Sequence, residues 1–247
     1  QDDGNLTVYA HWKTASQTNY ISHWAWGFNG QGNNGDGSAF NFASTSFSQN
    51  TSSYFTLGSG NAVTVPKGFT LTQSFGTSSI NGSWQNLPFG TGMTQKADSM
   101  YFEYDYSPIY YSISYNLNGG TNSSSNPSSY TILHGLYLND PYREGYTFKG
   151  WYDNNGNRVT NINGGCNASF SSGSDMYNKL NSRTTGNITL NARWQVNTYS
   201  NGISHWATSF QNREGNNGDK SCFKLGETSY NKTYGSSVTI NSNDAVR

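Results

Sequence analysis

The chain has 247 residues, room for one or two domains, or for more if they are small. Charged residues make up 11% and aromatics 15%, with 18 Tyr and 7 Trp, which argues against charge-driven disorder and for β-structure built on large rings. Lys and Arg (14) balance Asp and Glu (14), leaving no net field for nucleic acid or an anionic membrane. No apolar run approaches the about 18 residues of a membrane span.

The 28 glycines, with many Asn and Ser, predict the frequent turns of short strands. The chain opens on Gln1 without a signal peptide, as an excised segment would. Gly4-Asn5-Leu6-Thr7-Val8-Tyr9-Ala10-His11-Trp12 reads as a strand and returns 182 residues later as Gly186-Asn187-Ile188-Thr189-Leu190-Asn191-Ala192-Arg193-Trp194. Strand-like runs follow at 40–47, 54–57, 69–75 and 100–106, each broken by Gly, Asn or Ser, as in an antiparallel sandwich or small barrel. Pro108 should end that module, because proline stops strand pairing. Ile113, Tyr115 and Leu117 alternate into the turn Asn118-Gly119-Gly120. Tyr146 and Phe148 alternate with Thr147 and Lys149, and Asn155-Gly156 predicts a two-residue hairpin turn before Arg158-Val159. On the closing strand, Ile188, Leu190 and Trp194 should be buried.

Three of these pieces, 113–120, 143–152 and 186–194, together resemble the Listeria–Bacteroides repeat, or B-repeat, of internalin-type surface proteins. The resemblance spans about residues 110–194. It implies a small β-grasp-like module found in arrays on exported bacterial surface proteins, with no catalytic residues to carry over. Residues 166–185 form an insert longer than the family leads one to expect.

The internal copy continues past the first strand. Ile21-Ser22-His23-Trp24-Ala25 recurs as Ile203-Ser204-His205-Trp206-Ala207, and Gly32-Asn33-Asn34-Gly35-Asp36 as Gly215-Asn216-Asn217-Gly218-Asp219, with the match running on to Ala245-Val246. The expected fold class is thus mostly β, in tandem small modules. Residues 1–12 would be the last strand of a preceding B-repeat, 13–109 an all-β spacer module, 110–194 the B-repeat and 195–247 the first half of a second spacer. Such incomplete ends should be disordered or completed by strand addition from neighbouring chains, a reading favoured over a complete unit of 53 residues without a disulfide. Cys166 and Cys222 are too few for a disulfide framework, and two thiols are the favoured reading.

Enzyme signals are weak, and no catalytic residue, cofactor or metal is assigned. His11, His23, His134 and His205 are scattered, and His23 and His205 are one position repeated; a histidine at the edge of an aromatic core is favoured over a general base. Glu103 and Asp105 point the same way from one strand, and a solvated face is favoured over a glycosidase pair. Asn34 and Asp36 invite a calcium reading, but the loop lacks the alternate acids and the closing Glu, so a glycine-rich turn is favoured. Leu87-Pro88-Phe89-Gly90-Thr91-Gly92 imitates a sortase signal without its Thr, tail or basic end. Trp12 with Trp194 and Trp24 with Trp206 are equivalent pairs and read as framework, as does Trp151. Trp26 is different, since its counterpart is Thr208, and Trp84 lies in a polar loop; these two are the candidate ligand-binding residues, able to stack on a sugar or anchor a partner. The whole reads as part of an extracellular, wall-bound or secreted bacterial adhesin or stalk. Its target would be a host glycan or a host surface or secreted protein, with self-association by strand addition and no nucleic acid or membrane insertion. The alternative is a carbohydrate-binding region accessory to an extracellular glycosidase.

Overall fold

Alternating side chains carry most of the chain into strands. The computed structural model describes residues 4, 7–58, 63–77, 83–209, 215–218 and 222–241, the side chains of residues 166 and 167 excepted. Strand accounts for 49% and helix for 4%, in several small sheets with no barrel. In chain order the strands are β1 (Ser16–Trp26), β2 (Ala39–Asn50), β3 (Tyr54–Thr56), β4 (Phe69–Thr77), β5 (Gln85–Asn86), β6 (Gly92–Thr94) and β7 (Tyr101–Pro108). There follow β8 (Tyr111–Asn116), β9 (Ser129–Tyr130), β10 (His134–Tyr137), β11 (Tyr146–Tyr152), β12 (Arg158–Val159) and β13 (Asn161–Asn167). Helix α1 (Gly173–Asn181) precedes β14 (Ile188–Val196), β15 (Thr198–Ala207) and β16 (Phe223–Thr233).

Two compact units form: Gln1–Ile113 with Ser128–Tyr137 and Asn161–Ile188, and Ser114–Pro127 with Leu138–Thr160 and Thr189–Arg247. This packing does not follow the linear boundaries expected near residues 13, 110 and 195. The first unit holds a sheet in the order β2-β1-β7-β4-β5. All its pairings are antiparallel except β1 with β7, which run parallel, so the antiparallel sandwich or barrel expected for the spacer is corrected at this one pairing. Parallel neighbours need a long crossover, and residues 27–100 provide one.

Alternation sends Ile21, His23 and Ala25 of β1 and Phe102, Tyr104 and Tyr106 of β7 to one face, all buried at 2% exposure or less. Phe40 and Phe42 of β2 and Phe28 join them, and the short pair β3–β6 adds Phe55 and Met93. The insert also packs onto this core. Ser172 caps α1 by accepting from the Asp175 amide at 3.1 Å, Lys179 bridges Asp175 at 3.0 Å, and Met176 and Leu180, one turn apart, are fully buried. Phe170 stands edge-on to Phe28 and Phe40, and Tyr177 edge-on to Phe42. No helix is expected here from the sequence.

In the second unit β11 lies between β12 and β14, and β14 pairs with β8. Trp151 is 2% exposed and donates to the Asn139 carbonyl; Tyr115 and Phe148 meet its ring edge-on, and Phe148 also meets Trp194. Leu190 is buried as expected, whereas Ile188 and Trp194 are partly buried. The turn before β12 is not the predicted two-residue one. Trp151 faces Val159 and Tyr152 faces Arg158, so residues 153–157 form the loop. The Asp153 carboxylate closes it by accepting from the amides of Asn155 and Asn157 at 2.9 and 2.8 Å, and only Gly156 takes a positive φ (84°).

Strands β15 and β16 repeat β1 and β2 in detail. Trp24 faces Asn41 after a bulge at His23, and Trp206 faces Lys224 after a bulge at His205. The loops between them match as well: Asn33 Oδ1 accepts from the Asn41 amide and Asn216 Oδ1 from the Lys224 amide, both at 2.6 Å. Residues 7–12 form no strand, and Trp12 is 92% exposed. Its copy Trp194 is held between neighbouring strands; among the described residues no strand stands beside Trp12. The end of the repeat match at Ala245-Val246, and the side chain of Cys166, fall outside the described residues.

Candidate functional site

The outer face of the first unit's sheet is built by the same alternation that fills its core. With His23 and Ala25 inward, Ser22, Trp24 and Trp26 point outward from β1. With Phe102, Tyr104 and Tyr106 inward, β7 turns Tyr101, Glu103, Asp105 and Ser107 outward. The parallel register sets Ser22 beside Glu103 and Trp24 beside Asp105. On the other flank β4 sets Phe75 beside Glu103 and Gln73 beside Asp105. Strand β5 pairs with Phe75 and Gly76 and so brings the preceding residue, Trp84, over this face.

Trp26, Gln73, Phe75, Trp84, Glu103 and Asp105 thereby line one cleft of about 590 Å³. Both tryptophans singled out from the sequence stand in it, Trp84 at 42% exposure and Trp26 partly buried. Trp84 also borders a neighbouring cleft of about 430 Å³ with Tyr20 and Tyr101, whose rings stack at 5.5 Å. The face therefore offers three aromatic stations.

The carboxylates were expected on a plain solvated face. They do share the outer face, but the rings wall them in, and Asp105 is only 7% exposed. Burial, then the neighbouring Asp105 charge and a hydrogen bond with it, pushes Glu103 up to about 7. Burial also raises Asp105, against the partial relief of the Trp26 indole N–H and Glu103. The Trp26 indole lies near enough to pull on that carboxylate without meeting hydrogen-bonding geometry. Trp24 Nε1, Trp26 Nε1 and Asp105 Oδ1 accordingly remain buried and unsatisfied. Among the described residues no Lys, Arg or His lines the cleft.

The other candidates go elsewhere. His23 is fully buried, within 3.1 Å of the Tyr106 hydroxyl and 2.9 Å of Thr45 Oγ1, and burial lowers its pKa to about 4. The copy at His205 keeps the Thr contact, to Thr228 at 3.0 Å. Asp36 spends Oδ1 on the Ser38 amide and hydroxyl and on the Asn34 side-chain amide, closing its own loop. Among the described residues no group of three His, Cys, Asp or Glu is placed to hold a metal.

Gln73, Phe75, Glu103 and Asp105 were not assigned to a site from the sequence. One signal was present: the acids on β7 and the tryptophans on β1 both alternate with core residues. Nothing local says that these strands are neighbours.

Fold and cleft define a mostly β protein of tandem modules with an aromatic, acidic surface cleft. Residues 111–172 match the model of the Listeria-Bacteroides repeat domain family, so the chain carries one such repeat over a quarter of its length. Such a repeat points to a repetitive bacterial surface protein. No curated protein matches the chain. Among the described residues no helix is long and apolar enough to cross a membrane.

Proposed function

We propose that the chain is a repeat segment of an extracellular bacterial adhesin or stalk at the cell surface or wall, and that the outer cleft is its recognition site. The carrying observation is that Trp26 and Trp84 converge on one open cleft while Trp151 is spent in a core. Large rings with polar partners recognise ligands at low entropic cost, and repetition of modules turns weak contacts into avidity. No catalysis is part of this reading. Glu103 and Asp105 stand two residues apart on one strand, whereas glycosidase carboxylates flank the sugar from different elements. Self-association by strand addition belongs to the same reading, through the exposed β15–β16 hairpin.

The three aromatic stations also support a second reading, a carbohydrate-binding region accessory to an extracellular glycosidase. A glycan array probed with the whole chain and with Trp84→Ala separates the two. Host-type glycans retained by the natural chain and lost by the variant support the adhesin; a structural polysaccharide instead supports the accessory module. If neither class is retained in a Trp84-dependent way, the cleft is not a glycan site.

A further inference from the structure

We infer that the cleft takes an organic ammonium group, seated between the rings of Trp26 and Trp84 and against Glu103. This deepens the binding-cleft reading and rests on it. Three features of the lining point to a cation. Indole and phenyl faces carry the negative end of the ring quadrupole, so Trp26, Phe75 and Trp84 attract positive charge. Two carboxylates line it, and among the described residues of the lining no cationic side chain neutralises them. The neighbours of Glu103 on either strand, Ser22 and Phe75, are uncharged, so among the described residues of the lining Asp105 is its one ionisable neighbour.

This arrangement already stores a cost. Burial and the Asp105 charge both disfavour an ionised Glu103, and an incoming cation would relieve the repulsion between the two acids. A neutral sugar would leave that repulsion in place. The second hairpin has Thr208 where the first has Trp26, so Trp26→Thr imports the protein's own alternative at that position.

Choline is the probe, because its charge does not titrate; 3,3-dimethylbutan-1-ol, the same shape without charge, is the control. Binding to the whole chain is followed through the indole N–H signals of Trp26 and Trp84. Choline should shift both and bind at least about tenfold more tightly than the alcohol. Its affinity should rise as Glu103 ionises between about pH 5.5 and 8.5. Glu103→Gln should flatten that rise, and Trp26→Thr should weaken binding at every pH. Equal affinity for choline and the alcohol would overturn the inference, as would silence toward choline.

Two further arms identify the source of the ammonium. A glucosamine hexamer is compared with its N-acetylated form, and Nα-acetyl-lysine methylamide with its Nε-acetylated form; a preference for the free amine in either supports the inference. A cleft that binds the N-acetylated hexamer yet ignores choline leaves the recognition reading standing and sinks this one. A cleft that binds nothing sinks both.

Discussion

His23 and Glu103 leave the same sheet on opposite faces, and burial shifts both, with opposite consequences for folding. His23 titrates near 4 when folded, against about 6.5 for a free imidazole, so below 6.5 the unfolded chain binds the extra proton and stability falls as pH drops. Glu103 titrates at about 7 when folded, against an ordinary value of 4.5. Its contribution is present below 4.5 and is lost as pH rises towards 7. The two oppose each other in the weakly acidic range, so the natural chain should show a shallow profile there. Glu103→Gln removes only the falling contribution. Urea unfolding of both chains should show the variant's relative stability increasing by about 2 kcal/mol from pH 4.5 to 7, a figure already discounted for the partial exposure of the group. Parallel profiles would mean that Glu103 ionises as a free carboxylate does.

Helix α1 shows how an element can belong to a core far from it in sequence. Its capping signals, Ser172 with Asp175, and the one-turn spacing of Met176 and Leu180 are readable in the sequence once a helix is sought. They are obscured by a polar, Ser- and Asn-rich context and by a chain otherwise patterned for strands. The apolar face of this helix meets Phe42 and the β7 tyrosines within one cluster. Leu180→Ala should therefore destabilise the first unit by about 2–5 kcal/mol through the cavity it leaves. The decisive measurement is hydrogen exchange by peptide: β1, β2 and β7 should lose protection together. If loss is confined to residues 166–185, the helix is an appendage. The strands themselves were largely legible, since β2, β3, β4, β7, β8, β11 and β14 each overlap a predicted run to within a few residues at the ends. The Asp153 loop was not, because the choice between a two-residue and a five-residue turn depends on which amides one carboxylate captures.

Across the whole molecule, the most informative comparison is between the two copies of one hairpin. In the first copy Phe40 and Phe42 are 2% and 6% exposed, whereas Phe223 and Leu225 in the second are 40% and 57% exposed. Register and bulge agree and these positions are apolar in both copies, so the difference lies in what stands on the face: the first has β7 and α1, and among the described residues the second has no equivalent. Amides of β15–β16 should thus exchange at least about tenfold faster than those of β1–β2 at low protein concentration. Protection that rises with concentration would support self-association through this hairpin; equal protection at high dilution would contradict the exposed face. By itself the sequence determined the alternation of the strands, the repeat of about 182 residues, the Listeria-Bacteroides repeat and the suspicion that Trp26 and Trp84 are not framework. These are properties of neighbouring residues or of a chain compared with itself. Tertiary structure alone decided that β1 and β7 run side by side in parallel, that an insert after residue 165 fills the spacer core, and that two acids come to lie beneath two tryptophans. Each depends on which of several equally patterned strands buries the most apolar surface against which partner. That sum runs over residues 80 or more positions apart, and no local pattern records it.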